Sequence, residues 1–401
     1  MSAVSNQISI SIQTSSVPAH IQSAPAGAWT RLTTNTIDSV QALAGAYADG
    51  LQSLSRMFED WNGASYDPIY HRFTLYGGGH LPGGYPGNEC YGFRLDTAQW
   101  ERLNAPSPYP APDWGAGSAY ATEYSATFNG DGRPTPEHNY FAGNILRGST
   151  HKIYRAIVPP TKNVLLEWTP PAPGATYENT WNGTAGGYRI AGDYSTTVAT
   201  WAYATGAGGD YDSVDDALWY YGRGNNFGQA RFIRIPFNGD NIGTPTQHIY
   251  SPTGTSDIGL YTWCCVDPVR RIVLGGGGRN NSSHAFSVYY IDAPGSSKAI
   301  QAVTGTPGSV NEGGHVFFDS YRNIFWGTNS AGQALYKLTP AVNWQTDAWA
   351  WATVSATGTP TAGNQGIYTK FRYCSDYDVI LTCPTNGSQV WIYKPTDWRY
   401  S

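Results

Sequence analysis

The sequence predicts an all-β protein, a single β-propeller of four-stranded blades. Three observations carry that expectation. A unit of four short strands recurs at a spacing of roughly 50 residues, the signature of propeller blades. The composition is rich in turn formers, with 47 Gly and 26 Pro among 401 residues, and only 13% of residues are charged while 14% are aromatic. A strand-like stretch near the start, Trp29 to Leu32, has no blade of its own and matches the outer strand missing from the last repeat.

The clearest unit runs from Tyr66-Asp67-Pro68 through Arg72 to Gly79, then Glu89 to Asp96, then Trp100 to Leu103. An aromatic strand turns at Asp-Pro, a β-branched and aromatic run ends in glycines that take φ > 0, and an alternating strand turns at Asp96-Thr97 into a Trp-bearing edge. A second copy starts at Val266-Asp267-Pro268 and continues through Arg271 to Gly278 and Phe286 to Asp292. Another runs from Phe318-Asp319 to Trp349-Val354, and degenerate copies follow Asp215-Asp216 and Asp376-Tyr377-Asp378. One four-stranded sheet cannot bury both of its faces, so the copies stack around an axis. Six blades are expected, seven being the alternative count. Closure by the strand at Trp29 to Leu32 removes the open sheet edges.

Residues 1–27 are polar and read as an arm, with Ile8-Ser9-Ile10-Ser11-Ile12 alternating as a half-exposed strand does. Residues 28–401 form the propeller. Within it, Val40, Leu43, Tyr47, Leu51, Leu54 and Phe58 repeat at helical spacing, which marks 38–60 as a short helical insertion. Residues 105–135 form a connection rich in Pro, Gly and Tyr, too long for a turn and expected to fold over one mouth of the ring. Between 136 and 195 the repeat is poorly kept, with candidate strands at 139–146, 152–158 and 164–168.

The first unit resembles the kelch-like propellers related to the central domain of galactose oxidase, bacterial and phage-encoded members among them. The resemblance rests on the Gly77-Gly78 doublet with Tyr91 and Trp100, and on the run Gly77-Gly78-Gly79-His80 with Gly87-Asn88-Glu89. It is good over 61–105, fair over 258–304 and weak elsewhere. It implies a propeller of about six or seven blades and no particular activity, since this fold hosts enzymes and binding surfaces alike. The copper ligands of galactose oxidase, two His and two Tyr with one Tyr cross-linked to Cys, do not carry over. A copper radical cofactor is therefore not expected, and the cofactor is left unassigned.

A net charge of −5 supplies no basic field for a polyanion, so nucleic acid is excluded as a partner. The start of the chain lacks the cationic and apolar regions of a cleaved signal peptide. No stretch is long enough to insert in a membrane as a helix, and a virion or cytoplasmic location is expected. The five Cys form no paired zinc pattern and read as small buried hydrophobes. There is no G-x-S-x-G elbow, P-loop or H-E-x-x-H.

In a propeller, the segment leading into each inner strand and the loop after each second strand share a face. That collects Glu137, His138, Glu312, His315, Gln365 and Tyr368 from the leading segments, and His80, Arg223, Asn225, Arg279, Asn280 and Asn329 from the loops. His80, His138 and His315 are candidate metal ligands, because zinc accepts imidazoles from distant parts of a chain, although no local spacing motif supports them. Tyr85, Trp114 and Tyr120 offer aromatic faces to sugar rings, whereas Trp100, Trp219, Trp326 and Trp349 recur at blade positions and fill space between sheets. The expected function is a non-catalytic binding or structural propeller, with protein partners in a larger assembly such as a phage particle, glycans or both. The alternative is a polysaccharide lyase acting on uronate-containing glycans, with His80, His138, Arg279, His315 and Tyr368 supplying the base and the cation.

Overall fold

The computed structural model describes residues 16–32, 35–40, 62–76, 89–104, 144–157, 164–175, 188–193, 207–223, 230–250, 261–278, 286–298, 300–305, 307, 310, 313–363, 366–384 and 389–400. Its strands form six sheets arranged as a six-bladed β-propeller. After a short helix, α1 (Ala19–Gln22), comes β1 (Ala28–Arg31). The first blade is β2 (Ala64–Asp67), β3 (Arg72–Tyr76), β4 (Cys90–Arg94) and β5 (Gln99–Arg102). The second is β6 (Ile145–Arg147), β7 (Lys152–Ile157), β8 (Val164–Trp168) and β9 (Tyr188–Asp193). The third is β10 (Gly208–Asp212), β11 (Ala217–Arg223) and β12 (Ala230–Asn238), with β13 (Asn241–Ile242) and β14 (Thr246–Tyr250) both paired to β12.

The fourth blade has β15 (Thr262–Asp267), β16 (Ile272–Gly277) and β17 (Phe286–Tyr290), with Lys298 bridging Val288 in place of an outer strand. In the fifth, β18 (Val303–Thr304) runs parallel to the edge of a meander of β19 (His315–Asp319), β20 (Ile324–Thr328), β21 (Tyr336–Thr339) and β22 (Trp349–Thr353). The sixth has β23 (Phe371–Cys374), β24 (Val379–Thr382) and β25 (Trp391–Lys394). Its outer strand is β1, which pairs antiparallel to β25 with Trp29 opposite Tyr393. The expected closure by the N-terminal strand is therefore present. The repeat did not reveal the short or edge strands β13, β14 and β18, nor β9 and β10. β9 and β10 carry small or polar residues, Tyr-Arg-Ile-Ala-Gly-Asp and Gly-Gly-Asp-Tyr-Asp, in place of an apolar alternation.

The core lies between neighbouring sheets, where aromatic rings fill the wedge left by blades diverging from the axis. Trp100, Trp219, Trp326 and Trp349 are all buried, as their blade positions predict. The glycines of β16 are the complement of those rings. A Cβ on Gly275 would lie 2.2 Å from the Tyr221 ring of the third blade, and one on Gly276 would lie 2.3 Å from the Trp263 ring. Glycine is required there for close approach, since real Cβ contacts do not reach such distances. All five Cys are buried free thiols. Of the 38–60 segment, Ile37–Val40 is a 3-10 turn and the rest lies outside the described residues. The long connection at 105–135 lies outside them as well.

Candidate functional site

The strand register defines two faces. On one, each first strand begins opposite the end of its second strand, as in the pairings of His315 with Thr328 and of Phe371 with Thr382. The described candidates His315, Asn329 and Tyr368 lie on this mouth face. On the other, each first strand turns into its second, as at Asp67-Arg72 and Asp267-Ile272.

Three of the mouth-face candidates have described side chains. His315 opens β19 and Tyr368 sits in the 3-10 turn Tyr368–Lys370 before β23, both only 1% exposed. The backbone N–H groups of Ile367 and Tyr368 both donate to the Gly313 carbonyl, 2.9 Å away, which ties the fifth and sixth blades together two residues before His315. Asn329 accepts from the N–H groups of Gln333 and Ala334 at 3.1 and 3.3 Å, closing its own loop. Arg223 ends β11. His80, Tyr85, Trp114, Tyr120, Glu137, His138, Asn225, Arg279, Asn280, Glu312 and Gln365 lie outside the described residues.

Below the mouth the channel is crossed by charge. Arg372, on β23, donates from Nε and Nη2 to the Ala64 carbonyl of the first blade at 3.3 and 3.1 Å, and from Nε to the Thr369 carbonyl at 3.1 Å. Burial raises the Asp210 carboxyl of the third blade above the ordinary range, and the Arg372 guanidinium opposes that shift. The third and sixth blades are opposite one another in a ring of six, so this attraction spans the axis. Asp210 is further fixed by accepting from the Val266 N–H at 2.8 Å. His315 also lies within the field of Arg372. Burial holds its imidazole well below the usual histidine range, and the neighbouring guanidinium adds to the effect. The imidazole is therefore neutral at neutral pH. Among the described residues no group of three or more His, Cys, Asp or Glu converges as a metal site.

The turn face carries most of the remaining ionisable groups. In four blades the turn opens with an aspartate, Asp67, Asp212, Asp267 or Asp319, whose Oδ1 accepts from the N–H groups two and three residues on, at 2.9 to 3.4 Å. In all six, the fifth turn residue has positive φ without being glycine: His71, His151, Asp216, Arg271, Asn323 and Asp378, at 49° to 57°. Every junction between blades is clamped here by a charge-assisted bond. His71 Nδ1 meets Asp376 at 2.5 Å, His151 Nδ1 meets Asp67 at 2.8 Å, and Arg147 Nε meets Asp216 at 2.8 Å. Arg271 meets Asp212 at 3.0 Å, and Arg270 donates to the Asn323 carbonyl at 3.0 Å. Arg322 donates to Asp378 at 2.7 Å and to Asp319 at 2.9 Å. The Asp-Pro turns at 67 and 267 were the visible signal of this ring. Its pairing across blades needs the register to be known.

No family model matches the chain, and no curated protein matches it. Solved structures resemble it weakly. One is an engineered GH43 glycoside hydrolase with endo-xylanase and exo-arabinofuranosidase activity, 13% identical with a TM-score of 0.37 over 82% of this chain and 62% of that one. The chain thus spans less than two thirds of that protein's length. Another is an auxiliary nutrient binding protein from Bacteroides thetaiotaomicron, 9% identical with a TM-score of 0.40 over 84% and 69% of the two chains. A third, TolB from Acinetobacter baumannii, is 9% identical with a TM-score of 0.31 over 84% and 79%. The likeness is one of fold.

Proposed function

We propose that the protein is a non-catalytic binding propeller whose mouth-face loops hold a glycan and whose body belongs to a larger assembly such as a virion. The observation that carries this reading is the state of the throat. His315 and Tyr368 are buried, and the Arg372 guanidinium is held on the Thr369 carbonyl and, across the blade junction, on the Ala64 carbonyl, so the cation of the throat is engaged in joining blades. A throat whose cation is tied to backbone carbonyls suits recognition by the surrounding loops, where Tyr85 and Trp114 supply aromatic faces for the C–H face of a pyranose. The kelch-like resemblance of the first unit fits the same reading, with Tyr91 and Trp100 buried in that blade. Calorimetry against neutral and uronate-containing oligosaccharides is the test. Binding without turnover that is weakened by Trp114→Ala and Tyr85→Ala, and left intact by His315→Gln, is expected. Turnover of any polysaccharide would overturn it. Mass spectrometry of native material should recover assembly proteins with the chain.

One observation favours a second reading, a lyase acting on uronate-containing glycans. A neutral imidazole at His315 beside the Arg372 cation is the pairing β-elimination uses, a base for the proton next to the carboxylate and a positive charge for the enolate. Elimination leaves an unsaturated sugar that absorbs in the near ultraviolet. If a uronate polymer yields that signal, and His138→Ala and Arg279→Ala each abolish it with the melting temperature unchanged, this reading replaces the first.

A further inference from the structure

The turn face bears a ring of exposed apolar side chains. Seven large hydrophobic residues are exposed among those described, and four of them occupy the third position of an inner turn: Ile69 at 61%, Val214 at 58%, Val269 at 61% and Tyr321 at 53%. The corresponding residue is Ser149 in the second blade and Asp376 in the sixth. Four blades thus present an apolar tip at one level around the axis, a repetition that scattered surface residues do not show. The charges around the tips are already committed to the clamps between blades, so the ring calls for an apolar occupant.

Segments on either side of the propeller strands approach this face. Arg399 N–H donates to Asp378 at 2.9 Å and the Tyr400 hydroxyl to the Asp376 carbonyl at 2.6 Å, which covers the turn of the sixth blade. Arg399 also stands 5.7 Å from the centre of the Tyr321 ring. Near the other end, His20 Nε2 is 2.8 Å from the Leu95 carbonyl, and Leu95 N–H donates to the His71 carbonyl of the turn in the first blade. The segment leading up to residue 16 is thereby delivered beside the ring. In that segment Ile8, Ile10 and Ile12 alternate with Ser9 and Ser11, and residues 1–30 contain no Lys, Arg, Asp or Glu.

We propose that the ring of Ile69, Val214, Val269 and Tyr321 is a docking surface, and that its occupant is the Ile8, Ile10 and Ile12 edge of the same chain. An extended backbone advances about 3.3 Å per residue, so the three isoleucines span about 13 Å and lie about 13 Å or more from residue 16, within reach of neighbouring tips. In an extended run, alternation would set the three isoleucines on one edge and the serines on the other. Tethering sets an effective concentration of order millimolar, which favours this segment over a free apolar partner. The uncharged segment also leaves the ion pairs of the ring undisturbed.

Cysteine cross-linking of the full chain tests the proposal, because the native thiols are all buried. Ile10→Cys is combined in turn with Cys at each of the four tips, and with Ile249→Cys on the outer edge of the third blade as a control. Under mild oxidation, at least one tip should form a disulfide within a monomer, and the control should form none. A disulfide joining two chains would assign the ring to a second copy and overturn the proposal. So would no link to any tip, or links to the control at the same rate.

Discussion

The Lys394 ammonium lies 3.6 Å from the centre of the Trp398 ring, and from there donates to the carbonyls of Ile21, Gln22 and Ala24 at 3.4, 2.9 and 3.0 Å. One side chain on β25 thus joins the segment before β1 to the segment after β25. Burial lowers the Lys394 pKa, as a cation drawn from water requires.

Lys394→Met should loosen this closure. It keeps the apolar stem but leaves buried carbonyls without their donor, a loss of about 1–3 kcal/mol. A lower melting temperature and faster amide exchange in β1 are the expected readouts. Unchanged exchange there would show that the backbone bonds of β1 to β25 and to Thr357 hold it without Lys394.

Arg322→Ala should be among the most damaging changes to the turn face. It leaves Asp319 and Asp378, both fully buried, without their shared cation. Removing one partner of a buried pair costs about 3–5 kcal/mol. Arg94→Ala, which breaks a pair with the partly exposed Asp96, should cost about 0–1 kcal/mol. Chemical denaturation of the two variants gives the comparison.

Gly275→Ala should destabilise by overpacking, about 1–3 kcal/mol, because the new methyl meets the Tyr221 ring. Gly295→Ala, where nothing lies within 4 Å, serves as the control and should be near neutral. Tyr221→Leu combined with Gly275→Ala should lose less than the sum of the two single changes.

The pH dependence near neutrality should be set in part by His315. Its folded pKa is depressed, so the unfolded chain takes up a proton near pH 6.5 while the folded chain does not. The contribution to stability is complete above about pH 6.5, and falls by about 1.4 kcal/mol per pH unit below it. His315→Gln should flatten that slope in melts taken between about pH 7.5 and pH 5. The carboxyls of Asp210 and Asp376, raised by burial, act in the opposite sense at lower pH, where protonation favours the folded form. Identical slopes in wild type and variant would mean that the imidazole protonates in place.

The sequence disclosed the blades in proportion to how well each obeys the Asp-turn and glycine pattern. The first unit and the copy from Val266 matched the observed strands closely, because their turns begin with Asp-Pro and their second strands carry β-branched and aromatic residues. The second blade opens its turn with Arg147, whose role is to pair with Asp216 of the third, so the cue was missing. At the site, His315 opens β19 and Tyr368 lies in the turn before β23, and the burial of both side chains is not legible in the sequence. It follows from the hydrogen bonds that Gly313 receives across the blade junction. Arg372 and Asp210 drew no notice because neither has a local motif. Their interaction exists only once opposite blades face each other.

The pairing of β1 with β25 also sets a schedule for synthesis. As the chain leaves the ribosome, β1 emerges before any complete blade, yet its ladder partner β25 follows only after the five other sheets. Five sheets can stack vectorially, each on the one before, while the sixth waits for both ends and the closure entropy of the whole ring falls on that last step. During translation the nascent protein is an open arc with an unsealed side. The emergence of β25, not the appearance of any earlier blade, is the moment at which the circle can close.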